Sequence, residues 1–241
     1  MTENHDKYER LVRFTENIPP VVTAVAHPCD ESSLRGVVEA ARMGIIAPLL
    51  TGPEQRIRAV AEKVELDISG FELFDTPHSH ASAAAAVRLV HEGKAECIMK
   101  GSLHTDELMG AVVARDGGLR TERRVSHCFV MAVPAYGETL IVSDAAVNIA
   151  PNLAEKADIV QNAIDLAHAL KFDEVRVAIL SAMETVNPHV LSTIEAAALC
   201  KMADRKQITG AIIDGPLALD NAINLEAAEI KQIDSPVAGR A

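Results

Sequence analysis

Through the first hundred residues, apolar runs too short for helices alternate with amphipathic stretches long enough to be helices. Nothing else in the sequence constrains the fold as strongly. Residues 20–26 (PVVTAVA) read as a buried strand, 31–43 as a helix and 45–50 as a second strand. A helix then runs through Val64, a short strand covers Phe71–Phe74, and an Ala-rich helix spans Ser79–Glu92 up to Gly93. A strand at Cys97–Met99 closes the series. Asp30 is a candidate N-cap and Gly44 a candidate C-terminal stop. Strand and helix alternating at this spacing is the pattern of βαβ units and a parallel sheet. The core must be aliphatic, because aromatics are 3% of the chain and there is no Trp, while hydrophobic residues reach 49%. A polar helix is expected over 6–18, ahead of the first strand.

The alternation breaks at Val125–Val133 and Glu138–Val142, two apolar runs around the turn at 134–137. They predict an antiparallel hairpin. A loop at Asn148–Asn152 is the expected domain crossing, giving a first domain of 1–150 and a second of 151–241. Alternation resumes with a helix over 153–170, strands at 175–180 and 210–213, and helices at 188–202 and 225–231. The run from Ser235 to Ala241 reads as a loop leading into a further strand, so the second domain is expected to be incomplete at its C-terminal end.

The net charge of −11 argues against nucleic acid or an anionic membrane as the main partner. No apolar run reaches the roughly 20 residues that span a bilayer. The polar, acidic opening, residues 1–6, resembles neither a secretory signal nor a transit peptide. Cys29, Cys97, Cys128 and Cys200 are far apart without a C-x-x-C pair, which disfavours zinc and favours a reducing, cytoplasmic setting.

In open parallel sheets, ligands gather at the C-terminal ends of the strands. Those ends carry His27 to Asp30, Lys100-Gly101-Ser102 with His104 and Thr105, Ser143-Asp144, Ser181, and Asp214-Gly215. At 100–102, Gly101 permits a sharp turn and close approach. The following helix start attracts an anion by about 0.3–1 kcal/mol, and Lys100 adds a full charge. The alternative is a solvated lysine beside a Ser102 or Thr105 helix cap. The segment ARDGGLRTERRVSH sets Arg115, Arg120, Arg123 and Arg124 in an otherwise acidic chain. It is either a phosphate-gripping patch or a set of surface ion pairs. His104 and His127 could shuttle protons or be structural, and Asp144 could act as an acid or base or cap a turn. Nucleotide fingerprints, a nucleophile elbow and metal-ligand spacing are absent.

Four blocks, MKGSLHTDELMGAVV, GLRTERRVSHCFVM, IVSDAAVNIAPNLAEKADIV and IDGPLALDNAI…DSPVAGRA, resemble the phosphate acetyltransferase and phosphate butyryltransferase family in sequence, order and spacing. The nearest resemblance is to the phosphotransacetylase part of bifunctional enoyl-CoA hydratase/phosphate acetyltransferases. The resemblance implies two α/β/α domains with largely parallel sheets and an interdomain cleft, as in isocitrate and isopropylmalate dehydrogenases. It implies exchange of acyl-CoA plus phosphate with acyl phosphate plus CoA, by direct transfer, in a cytoplasmic homodimer with no tightly bound cofactor or metal. By the same resemblance Arg124 and Asp144 are catalytic. Lys100, Gly101, Ser102, His104, Thr105, Ser126, Asn148, Ser235 and Gly239 are expected to bind substrate, with Pro236, Val237 and Ala238 shaping the CoA site. Gly110 stands where relatives often carry an arginine. A Ser-Arg pair and an aspartate associated with the CoA thiol would fall beyond Ala241. On that ground a chain ending there is expected to be crippled, and an acyl-CoA-binding or regulatory module is the alternative. A metal- and NAD-dependent decarboxylating dehydrogenase is a third reading, disfavoured by the lack of clustered aspartates.

Overall fold

The computed structural model describes residues 3–241, with side chains from residue 7 onward. The expectation about the polar opening stretch lies in part on residues 1 and 2, outside the described residues. Among the described residues no helix is long and apolar enough to cross a membrane. The chain divides into two compact units, Val12–Glu122 and Arg123–Ala241 together with Met1–Leu11.

The first unit runs β1 (Val21–Ala26), α2 (Glu31–Arg42), β2 (Ile46–Gly52), α3 (Glu54–Lys63), β3 (Glu72–Asp75), α4 (Ser79–His91), β4 (Cys97–Lys100) and α5 (Thr105–Val112). Helix α1 (Glu3–Arg13) precedes it, starting and ending earlier than expected. The four strands form one sheet in the order β3-β2-β1-β4. All pairings are parallel, with Val21 opposite Ile46 and Ala26 opposite Lys100. Strand β1 is central and covered on both faces, which is why its sequence is apolar without alternation. Val25 and Leu50 pack with Leu34, Val37, Val38 and Ile57 from α2 and α3 on one face. Ala24 and Ala26 meet Ala83, Ala86 and Leu89 of α4 and Leu103 and Leu108 on the other. Small residues on both sides of that second interface let the Ala-rich helix approach closely. Asp30 caps α2 as expected, accepting from the Ser33 N–H at 2.8 Å.

From β1 the chain steps outward to β3, then crosses back to place β4 on the other side of β1. This reversal puts the C-terminal ends of β1 and β4 side by side, the position where open α/β sheets bind ligands.

The second unit holds β5 (Cys128–Met131), β6 (Leu140–Ser143), α6 (Leu153–Ala169), β7 (Arg176–Leu180), α7 (Leu191–Asp204), β8 (Ile212–Leu217), α8 (Leu219–Ile223) and α9 (Leu225–Ile230). The hairpin is antiparallel as expected, with Cys128 opposite Ser143, and β7 pairs with β8 in parallel. Ile141 of β6 packs against the core of Val160, Ile164, Val175, Leu199 and Ile208. That contact ties the hairpin to the helices after it, so the loop at 148–152 lies inside this unit and the division falls between Glu122 and Arg123. Strand β8 extends to Leu217 rather than stopping at 213. The short α8 follows it immediately, in a stretch whose sequence carries no helical period of its own. Leu217, Ala222, Ala228, Val237 and Ala238 form a second small core, so the tail from Ser235 is packed rather than loose.

Candidate functional site

In the first unit the site-forming residues sit where β1 and β4 end together. The Gly101 N–H donates to the Ala26 carbonyl at 2.8 Å, and that of Ser102 donates to the His27 carbonyl at 2.9 Å. A Cβ on Gly101 would lie 2.5 Å from both of those carbonyl oxygens, so only glycine lets the two strand ends close. Ser102 completes the join: its hydroxyl donates to the His27 carbonyl at 2.9 Å and accepts from the Cys29 N–H at 3.1 Å. The hydroxyl thereby staples β4 to the loop after β1. Lys100 is exposed, and its ammonium reaches the Gly101 carbonyl only at 3.4 Å. Hydrogen bonds from Ser33 hold the Asp30 carboxyl below its ordinary range, and the charges of Lys100 and Arg56 act in the same direction. These charges share the rim of the β1–β4 end.

His104 and Thr105 open α5 and are exposed. The Glu107 carboxylate ties two helix starts together. It accepts from the His104 N–H at 3.1 Å and the Ser79 hydroxyl at 2.9 Å, and meets His80 Nδ1 at 3.1 Å. The bond from Ser79 leads the causes that keep its carboxyl below the usual range. His27, at the β1 end, turns inward instead of facing solvent. It is 6% exposed, its Nδ1 lies 3.0 Å from the Ser82 hydroxyl, and burial pushes its pKa down.

In the second unit the structure brings Arg124, Ser126, Asp144 and Asn148 together. Arg124 Nε donates to Asn148 Oδ1 at 2.7 Å, and Nη1 meets Glu155 Oε1 at 3.0 Å. The Asn148 amide donates to the Val125 carbonyl at 3.0 Å and to Asp144 Oδ2. Asp144 gathers the loop around itself. Its Oδ1 accepts from the N–H groups of His127 at 3.1 Å and of Ala146 and Val147 at 3.2 Å, and its Oδ2 accepts from the Asn148 N–H at 2.8 Å. Partial burial pushes the Asp144 carboxyl up, but the hydrogen bonds from Asn148, Ala146 and Val147 outweigh it and hold the group below its ordinary range. A carboxylate so committed is a weak proton acceptor. Its geometry suits it to hold Asn148, and through Asn148 the Arg124 guanidinium.

The bed for this segment is one face of α6. Asp158 Oδ2 accepts from the Arg124 N–H at 2.8 Å. Asn162 donates to the Arg124 carbonyl and to the Ser126 hydroxyl, each at 2.9 Å. Asp165 pairs with Arg123 at 2.5 Å. Glu155, Asp158, Asn162 and Asp165 recur at helical spacing, three, four and three residues apart, and so line one stripe of the helix. None was singled out in the sequence. The signal was present in that spacing, although the same stripe reads equally well as a solvated helix face.

The four-arginine segment is divided between the two units. Arg115 and Arg120 are exposed in the first unit, whereas Arg123 and Arg124 are pinned to α6 in the second. His127 packs its ring against Phe129, centroids 4.4 Å apart. Ser235 turns its hydroxyl onto the N–H groups of Val237 and Ala238, each at 3.2 Å. Gly239, at φ +75°, donates to the Asn221 carbonyl at 2.6 Å and passes so close to Leu225 that a Cβ would lie 2.5 Å from its Cα. Among the described residues no cluster of three or more His, Cys, Asp or Glu side chains is placed to hold a metal ion.

The parallel sheet with helices on both faces places the chain among α/β proteins. Comparison with known proteins makes the assignment specific. Residues 78–241 match the family model described as phosphate acetyl/butaryl transferase. The chain is 60% identical over 235 residues to the phosphate acetyltransferase of Rhizobium meliloti, covering 98% of this chain and 74% of that one. It is 53% identical over 232 residues to the phosphate acetyltransferase of Rickettsia prowazekii, covering 96% of this chain and 66% of that one. It therefore spans between about two thirds and three quarters of the length of these relatives. Among solved structures, a phosphotransacetylase from Streptococcus pyogenes shares the fold, with a TM-score of 0.78 at 20% identity over 98% of this chain and 80% of the other. The chain belongs to the phosphate acetyl/butaryl transferase family.

Proposed function

We propose that this chain serves an acyltransferase that interconverts acyl-CoA plus phosphate with acyl phosphate plus CoA, acetyl or butyryl being the acyl group. Arg124 carries the proposal. Its guanidinium is held at Nε and Nη1, and the Nη2 amino group is engaged by neither contact. A planar donor fixed in this way, at 47% side-chain exposure, suits a phosphoryl oxygen. Lys100, exposed beside its glycine turn, is proposed to bind substrate through its own charge.

In the forward direction a phosphate oxygen attacks the thioester carbonyl. A carbon–oxygen bond forms, the carbon–sulfur bond breaks, and the CoA sulfur leaves with the electron pair and takes up a proton. In reverse, the thiol gives up that proton and its sulfur attacks the acyl phosphate carbonyl; the carbon–sulfur bond forms, the carbon–oxygen bond breaks, and phosphate leaves with the electron pair and takes up the proton. Arg124 neutralises phosphate charge in both directions and orients the attacking or leaving oxygen, which is where a preorganised cation contributes most. Asp144 and Asn148 act through Arg124 as positioning residues. The proposal includes the finer architecture, two α/β/α domains in the manner of isocitrate and isopropylmalate dehydrogenases. It also includes a homodimer, a cytoplasmic location, small-molecule substrates rather than nucleic acid or membrane, and no tightly bound cofactor.

The test is acetyl phosphate formation from acetyl-CoA and phosphate, followed through release of the CoA thiol. Turnover that depends on both substrates supports the proposal. CoA binding without turnover would instead point to a non-catalytic acyl-CoA-binding module.

A further inference from the structure

We infer that Glu155 is a positioning residue for Arg124, and that its carboxylate is required because each oxygen serves a different partner. Oε2 accepts from the Asn152 N–H at 2.9 Å, while the Glu155 N–H donates to Asn152 Oδ1 at 3.0 Å. Together these form the capping box at the start of α6. Oε1 faces the other way and meets Arg124 Nη1 at 3.0 Å. A capping box accepts either glutamine or glutamate, and the helix dipole favours the acid only modestly, so the cap alone does not require it. The second acceptor does. A glutamine that caps with its oxygen presents its amino group to a guanidinium that can only donate.

The pair also spares Arg124 a conformational search. Asn148 fixes Nε from the loop and Glu155 fixes Nη1 from the helix, so the plane of the guanidinium is set before an anion arrives. Arginine carries large side-chain entropy, and fixing the planar fork in advance reduces what binding must still order. Glu155 is itself held, at 27% side-chain exposure, by the first turn of a 17-residue helix, a rigid mount for a binding group. The inference rests on the proposed role of Arg124 in gripping phosphate. Losing the carboxylate's negative charge would by itself tighten anion binding, whereas losing the orientation would weaken it. The sign of the change therefore separates the two effects.

The experiment compares Glu155→Gln with Asn152→Ala. Inorganic phosphate is titrated by 31P NMR, thermal midpoints are recorded, and solvent exchange of the Arg124 Nε–H is followed by 15N–1H NMR. Glu155→Gln should weaken phosphate binding about tenfold, the lower end of the loss seen when the outer-shell partner of a metal ligand is removed. Its thermal midpoint should stay near the wild-type value and Arg124 Nε–H exchange should accelerate. Asn152→Ala should show the opposite pattern, a lower midpoint with phosphate affinity kept. Phosphate binding by Glu155→Gln equal to or tighter than wild type would overturn the inference and leave the Arg124 proposal standing. If the wild-type protein binds no phosphate, the Arg124 proposal fails, and Nε–H exchange alone decides on Glu155: faster exchange in the glutamine variant supports its positioning role, and unchanged exchange refutes it.

Discussion

Replacing Asp144 by asparagine changes one atom in the group that organises residues 143–148. The amide keeps the shape but turns one oxygen into a donor. If the oxygen stays at the Oδ1 position, the Asn148 N–H and side-chain amide both face a donor. If it occupies the Oδ2 position, the N–H groups of His127, Ala146 and Val147 do. The less costly arrangement still loses two bonds to a charged acceptor. Such bonds contribute about 1.5–3 kcal/mol each. Partial exposure discounts that figure, leaving a cost of about 3 kcal/mol, or roughly a hundredfold in the local opening equilibrium. Native-state amide exchange at Ala146, Val147 and Asn148 reads that opening directly and should accelerate by about that factor in Asp144→Asn. The pH dependence follows from linkage. The folded Asp144 pKa lies below the ordinary 3.8. Its contribution is therefore complete above 3.8 and is lost as pH falls through the folded value. The gap between wild type and variant should stay flat from about pH 7 to pH 5 and close at lower pH. Unchanged exchange at these amides, or a gap that persists in acid, would refute this account of the loop.

Two further outcomes follow from the first unit. Gly101→Ala should cost about 2–3 kcal/mol, because the new methyl meets backbone carbonyls that cannot swing away; a shift in the urea midpoint worth less than about 0.5 kcal/mol would contradict the close approach of β1 and β4. His27 is buried and its pKa is lowered, so the unfolded chain takes up a proton at a higher pH than the folded one. Stability should fall as pH drops below 6.5 toward the folded value. His27→Asn, which tolerates the local φ of 58°, should remove that slope in pH-dependent melts, and a slope of undiminished size would assign it to another group.

The first unit was legible because its signals are local. β1 is a continuous apolar run, Asp30 caps the helix that follows, and glycine stands where β4 must turn. The division of the chain was harder to see. The hairpin breaks the βαβ rhythm, so the next loop looks like a boundary, yet Ile141 commits the hairpin to the core of the second unit. Ser102 was visible as a polar residue at a strand end, but its bonds to His27 and Cys29 span more than 70 positions and leave no trace in the local pattern. Arg124, Asp144 and Asn148 were singled out in the sequence, while the α6 side chains that bed the segment were not. Glu155, Asp158 and Asn162 form a polar helix stripe, and nothing local distinguishes a stripe facing water from one facing another segment. Helical spacing fixes which residues share a face, and tertiary packing decides what the face meets.

The central claim is that Arg124 grips the phosphoryl group. Steady-state kinetics of Arg124→Ala, with phosphate and acetyl-CoA varied separately, tests it most directly. Losing a charge-assisted contact of about 1.5–3 kcal/mol should raise the KM for phosphate between about tenfold and a hundredfold, while the KM for acetyl-CoA stays near its wild-type value. A phosphate KM unchanged by the substitution, or a loss falling equally on both substrates, would contradict it.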